Sequence, residues 1–72
     1  MTVDKIKLFI ENNMNHPINF KFNGSRNQIE EFSGEIVNTY KSVFIIKVDG
    51  VPITKSFSYT DILIGNLELT LQ

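Results

Sequence analysis

A chain of 72 residues has room for one domain, residues 1–72, and so short a chain buries only about 60% of its unfolded surface on folding. The absence of cysteine excludes disulfides and thiolate metal sites, and no apolar run approaches the roughly 20 residues of a membrane span. The formal net charge of −1 argues against a dedicated nucleic-acid binder, because such proteins usually carry a basic excess that replaces counterions.

The first segment, about residues 2–14, has the pattern of an amphipathic helix. Thr2 can cap its N-terminus, and a single stripe of apolar residues follows at helical spacing: Val3, Ile6, Phe9, Ile10 and Met14. Three asparagines and then Pro17 favour a turn, so the helix is expected to end there and the β-rich part to span about 17–72.

Two strands with different patterns are predicted next. Ile18, Phe20 and Phe22 alternate with polar residues, which indicates a half-buried strand, and Asn23-Gly24 is a turn signal. Residues 28–39 form the second strand, in which Gly34 indicates a bulge or a sharp bend.

The rest of the chain predicts three more strands. Residues 43–48 are apolar on both faces, so both faces must be covered. Asp49-Gly50 matches a tight hairpin turn, residues 53–57 form a short strand, residues 58–63 form a single helical turn, and the alternating leucines of 67–71 form the last strand.

This order predicts a mainly β fold: a five-stranded SH3-like (Sm-like) barrel preceded by an N-terminal α-helix. The expected interior consists of Phe20, Phe22, Phe32, Ile36, Phe44, Ile46 and Leu69. We expect the helix to cover the outer face of the third strand at Val43 and Ile45.

No catalytic, cofactor-binding or metal-binding residues are predicted. His16 is the only histidine and lies before a proline, which is typical of a surface turn. Glu31 and Glu35 share a strand face but are separated by roughly 13 Å along it, more than acid/base carboxylate pairs use. A solvated sheet face accounts for them better.

Two exposed places are candidates for binding. The loop 23–27 sets Arg26 beside Asn23 and Gly24, where backbone amides could approach a phosphate or carboxylate, although a plain hairpin loop with one solvated arginine accounts for it better. Tyr40 and Lys41 lie together at a strand end, and Tyr40 is the aromatic residue most expected on the surface. Tyr59 and the phenylalanines could stack bases, but core packing is the better reading for most of the phenylalanines.

These segments resemble the Veg family of small proteins from Gram-positive bacteria. The matching pieces occur in order and nearly without gaps: Asn23, Gly24 and Arg26; Ile29-Glu30; Ser33-Gly34; Thr39-Tyr40; Ser42-Val43-Phe44; Ser58-Tyr59 with Asp61; and Leu67-Glu68-Leu69-Thr70. The family loop is more basic, because Ser25, Asn27 and Gln28 stand here where a glycine, an arginine and a lysine are typical, and Lys41 stands where proline is usual.

The resemblance implies an SH3-like barrel and a cytoplasmic, non-enzymatic regulator that stimulates biofilm formation by relieving a repressor of matrix genes. Its partner is then a protein, bound at Asn23, Gly24, Arg26, Tyr40 and Lys41, with no cofactor and no membrane, and homo-oligomers are compatible with it. The alternative is a nucleic-acid-binding barrel that uses Arg26, Lys21, Lys41 and exposed aromatics. A similarity to Sm-like RNA-binding proteins supports this alternative only as an architectural analogy.

Overall fold

The elements of the fold follow the predicted order. The computed structural model describes residues 2–24 and 28–72. It contains the helix α1 (Val3–Asn12), the strands β1 (Ile18–Asn23), β2 (Ile29–Thr39), β3 (Val43–Val48) and β4 (Thr54–Ser58), the short helix α2 (Tyr59–Leu63) and the strand β5 (Leu67–Leu71).

Helix α1 begins as the sequence predicts but ends earlier than expected. The Thr2 hydroxyl accepts a hydrogen bond from the Lys5 N–H at 3.3 Å and caps the N-terminus. The helix ends at Asn12, earlier than predicted, and Asn15 takes a left-handed conformation with φ 63°. The Asn15 N–H then donates to the Ile36 carbonyl at 3.0 Å, which ties the helix exit to β2.

The strands form one antiparallel sheet in the order β4-β3-β2-β1-β5. The mainly β class, with five strands and an N-terminal helix, is therefore confirmed. The closed barrel is not confirmed, because no hydrogen-bonded pairing joins the two edge strands β4 and β5 in the described parts of the chain. The sheet is an open one, with an edge at each end.

Strand β2 is the longest strand and pairs with both β1 and β3. The predicted bulge lies between Ile36 and Asn38, and not at Gly34 itself. Gly34 is instead the point where the neighbouring backbone comes closest, since a Cβ there would overlap the Lys47 carbonyl oxygen and lie 3.0 Å from Cγ2 of Ile46.

The core lies on the concave face of the sheet. Of the predicted interior residues, Phe20, Ile36, Phe44 and Ile46 are buried, while Phe22, Phe32 and Leu69 are half-buried and pack against them. Phe57 of β4 lies with its ring centroid 5.1 Å from that of Phe22 on β1, so β4 folds back over the N-terminal half of the sheet. This contact between side chains partly replaces the missing backbone closure.

A charged contact also joins β4 to a strand that is not its neighbour in the sheet. The Lys55 ammonium of β4 pairs with the Glu30 carboxylate of β2 and lies 5.4 Å from the centroid of the Phe32 ring. Both charged side chains are partly exposed, so this ion pair contributes little to stability. It marks how closely β4 approaches the beginning of β2.

The prediction that α1 covers Val43 and Ile45 is wrong. Ile6 and Ile10 of α1 belong to the same buried cluster as the concave-face residues of β3, and Val43 on the opposite face is 37% exposed. The sheet does not close, so its apolar interior needs a cover, and the stripe of α1 supplies that cover where it contacts β2 and α2.

Candidate functional site

The turn between β2 and β3 presents two of the predicted binding residues. Tyr40 is 54% exposed and Lys41 is exposed beside it. The Tyr40 N–H donates to the Val43 carbonyl at 2.8 Å, which closes the turn. Large side chains therefore project from a turn whose backbone is fixed by its own hydrogen bonds.

Tyr59 anchors this turn to α2. Its hydroxyl donates to the Tyr40 carbonyl at 2.8 Å, and its N–H donates to the Ser42 carbonyl at 3.3 Å. Ser58 and Asp61 form a reciprocal capping box that holds the start of α2 in place. The turn is thus fixed both by the hydrogen bond between Tyr40 and Val43 and by the hydrogen bonds that Tyr59 donates to it.

The sequence reading of Tyr59 as an aromatic that could stack on bases is wrong. Tyr59 is 1% exposed and its ring centroid lies 5.5 Å from that of Phe44. Its place after Ser58 in a capped turn gave no hydrophobic periodicity from which burial could be predicted. The only local signal was the Ser-x-x-Asp pattern, which identifies the start of a helix but not the face that packs inward.

The environment of Tyr59 predicts an alkaline dependence of stability. Burial raises the pKa of the Tyr59 hydroxyl above its ordinary value of 10.0, and the nearby Glu11 carboxylate raises it further. Because the folded-state pKa is the higher one, this contribution to stability is complete below about pH 10 and is lost as pH rises through the folded-state value.

Tyr59→Phe should cost about 0.5–1.5 kcal/mol at pH 7 through the lost hydrogen bond, and should lose less stability than the unmodified chain above about pH 10. Urea unfolding between pH 7 and pH 11 measures both effects. Tyr40→Phe is the matched control and should keep the alkaline loss. An equal alkaline loss in Tyr59→Phe would contradict the assignment.

The loop after β1 contains the other predicted binding residues. The Asn23 N–H donates to the Asn66 carbonyl at 2.7 Å, and the Gly24 N–H donates to the Gln28 carbonyl at 2.7 Å. Both backbone amides therefore already have partners and are not presented to an anion. Arg26 lies outside the described residues.

The two candidate places do not form one site. Gly24 precedes β2 and Tyr40 follows it, so the 11 residues of β2 separate them. Any partner that contacts both must extend along the sheet. Each place is therefore a separate candidate surface.

Positive charges of the described sheet residues are set beside negative ones. Lys21 of β1 lies directly between Glu31 of β2 and Glu68 of β5, and Lys47 of β3 lies opposite Glu35. A phosphate backbone approaching Lys21 would meet two carboxylates as well. The outer face of the sheet is accordingly a poor track for nucleic acid.

The other polar residues considered in the sequence analysis do not form a metal site in the described residues. His16 is exposed in the turn after α1. Within residues 2–24 and 28–72, no group of three or more His, Cys, Asp or Glu side chains could hold a metal ion. No helix in those same residues is long and apolar enough to cross a membrane.

A groove that the sequence did not predict runs between α1, α2 and β5. Its volume is about 410 Å³, and it is lined by Lys5, Ile6, Phe9, Ile62, Gly65, Leu67, Glu68 and Leu69. Phe9 is 43% exposed at its rim, although it belongs to the predicted apolar stripe of α1. The apolar stripe of α1 therefore extends beyond the buried core, and its outer part lines this groove.

A known protein family matches nearly the whole chain. The model of the family described as Biofilm formation stimulator VEG matches residues 1–70 of the chain. No curated protein matches the chain significantly.

Proposed function

Because the chain belongs to the Veg family of biofilm formation stimulators, we propose that it is a non-enzymatic regulator that acts by binding a protein partner. Family membership supports a biofilm-related regulatory role. The proposed partner is a cytoplasmic repressor of biofilm matrix genes. Binding of this protein to the repressor relieves the repression of those genes. The observation that carries this proposal is the family match, which extends over residues 1–70 of the chain.

Two separate contact surfaces are proposed: the turn at Tyr40 and Lys41, and the loop that contains Asn23, Gly24 and Arg26. An exposed tyrosine is a residue type that often anchors protein interfaces. The anchoring of the Tyr40 backbone by Tyr59 supports this choice, because a surface held in place before binding loses less conformational entropy on association.

The alternative, a nucleic-acid-binding sheet, has less support. Phe9 and Tyr40 are the exposed aromatic side chains of the described residues, and they lie on different elements. Lys21 is flanked by carboxylates. The affinity of a protein that binds through phosphate contacts falls steeply as the salt concentration rises. A salt titration with duplex DNA and single-stranded RNA therefore tests the alternative.

Tyr40→Ala should weaken capture of the protein partner by about tenfold or more, since truncating an interface anchor commonly costs over 1.4 kcal/mol of binding. Its folding stability should change by no more than about 0.5 kcal/mol. The measurement is affinity capture from the native cells with the tagged chain, followed by titration of the purified partner. Lys41→Ala should weaken capture in the same direction.

Val51→Ala is the matched control, because Val51 is 43% exposed but lies in the turn at the other end of β3. It should leave capture unchanged. Equal capture by Tyr40→Ala and by the unmodified chain would place the interface elsewhere. If the unmodified chain captures no protein but binds duplex DNA in a salt-dependent manner, the nucleic-acid alternative is correct instead.

A further inference from the structure

The free edge of the sheet at β5 has a defined pattern of backbone groups. The Asn23 N–H donates to the Asn66 carbonyl at 2.7 Å, and the Gln72 N–H donates to the Pro17 carbonyl at 3.4 Å. In an antiparallel pair, residues that exchange hydrogen bonds alternate with residues that do not. The even-numbered residues of β5 therefore bond to β1, and the N–H and C=O groups of the odd-numbered residues point outward.

Only two residues of this edge have outward backbone groups that a second strand can reach. Leu67 is 1% exposed and lies in the groove beside α1 and α2, so its outward groups are covered. Leu69 is half-buried and Leu71 is 51% exposed. The outward groups of Leu69 and Leu71 thus form a short open edge that ends where Leu67 is covered.

We propose that two copies of the chain pair antiparallel through β5, about a two-fold axis that passes between their Thr70 residues. Leu69 of each copy then lies opposite Leu71 of the other, and each of these pairs exchanges two backbone hydrogen bonds. Thr70 faces Thr70 of the second copy across the axis. A register centred on Leu69 is disfavoured, because it requires the covered groups of Leu67.

The side chains beside this axis are compatible with self-pairing. On the outer face, Thr70 lies opposite Asn19 of β1, and Asn19 lies opposite Ser33 of β2. This row is uncharged, so joining it to its own copy brings no like charges together. Opposed threonines are also a favourable cross-strand pair. The proposed register therefore has no electrostatic penalty at its centre.

The concave side supplies the apolar part of the contact. Leu71 of the second copy lies beside Leu69, at the groove whose rim includes Phe9. Leu71 and Phe9 are 51% and 43% exposed in the single chain, and pairing covers apolar surface at both. The other edge, β4, is less suited, because it carries the charged Lys55, and a lysine on an edge strand disfavours pairing with another strand.

Sedimentation over a range of concentrations tests the pairing. The mass of the unmodified chain should rise from 8.3 kDa towards twice that value as concentration increases. Leu71→Pro, which removes an outward N–H, and Leu71→Lys, which places a charge at the edge, should both remain monomeric. Ser56→Pro, the same change on the β4 edge, should dimerise like the unmodified chain.

Thermal unfolding establishes that these variants are folded, and if Leu71→Pro does not fold, Leu71→Lys decides. A mass of 8.3 kDa for the unmodified chain at all concentrations up to the millimolar range overturns the proposal. Loss of dimerisation in Ser56→Pro, with retention in Leu71→Lys, also overturns it and indicates symmetric pairing of two β4 edges.

A disulfide measures the register directly, because the chain contains no cysteine of its own. Thr70→Cys brings two thiols together at the axis, where opposed Cβ atoms are about 4.5–5.5 Å apart. Mild oxidation should link Thr70→Cys dimers at least about ten times faster than Thr54→Cys, since pairing raises the effective thiol concentration to the millimolar range. Equal rates for the two variants contradict the proposed axis.

Discussion

Phe44→Ala should destabilise the protein by about 3–5 kcal/mol, because it removes a fully buried aromatic side chain and leaves a cavity. The Phe44 ring lies between Phe57 and Tyr59, with centroid distances of 6.4 Å and 5.5 Å. The cavity would therefore separate β4 and α2 from the core. A domain of this size has only about 5–10 kcal/mol of total stability, so this loss removes roughly a third or more of it.

Urea unfolding followed by circular dichroism measures this loss. Val43→Ala is the matched control on the same strand, since Val43 faces outward and is 37% exposed. It should cost about 1 kcal/mol or less. The opposite ranking of the two variants would show that β3 presents its other face to the core.

Gly34→Ala should cost about 3 kcal/mol, the upper end of the usual range for overpacking. The added Cβ would overlap the Lys47 carbonyl oxygen and press on Ile46. The obstacle is backbone and cannot rotate away, so β2 and β3 must separate at the pair formed by Gly34 and Val48. The thermal midpoint should fall and hydrogen exchange of the β3 amides should accelerate.

Glu35→Ala is the control for this position. Glu35 follows Gly34 in β2 but pairs with Lys47 on the outer face, so its loss should change stability by no more than about 0.5 kcal/mol. If Gly34→Ala is as stable as the unmodified chain, β2 and β3 do not approach each other as closely at this glycine as the structure indicates.

Half of the candidate surface could be predicted from local sequence. Tyr40 and Lys41 lie between two strongly patterned strands, so their exposure in a turn follows from the pattern. Their fixation by Tyr59 could not be predicted, because it joins positions 19 residues apart in the chain. The groove at Phe9 was also missed, since its other walls come from α2 and β5.

The sequence by itself determined the elements, their order and most of their inward faces. The alternation of Ile18, Phe20 and Phe22 is a local pattern that the structure keeps. The structure also has a turn at Asp49-Gly50, but the hairpin is wider than the predicted tight turn, since it closes between Val48 and Ile53. Local periodicity dictates these features because each depends only on which residues share one face of one strand or helix.

Only the tertiary structure decided how the sheet ends and what covers it. The failure of β4 and β5 to pair leaves an apolar interior that α1 must cover, so the helix joins the buried cluster that contains Phe44 and Ile46 and leaves Val43 exposed. A strand that is apolar on both faces carries no sign of which face the helix will take. That choice depends on sheet curvature and closure, which arise from contacts between residues distant in the chain.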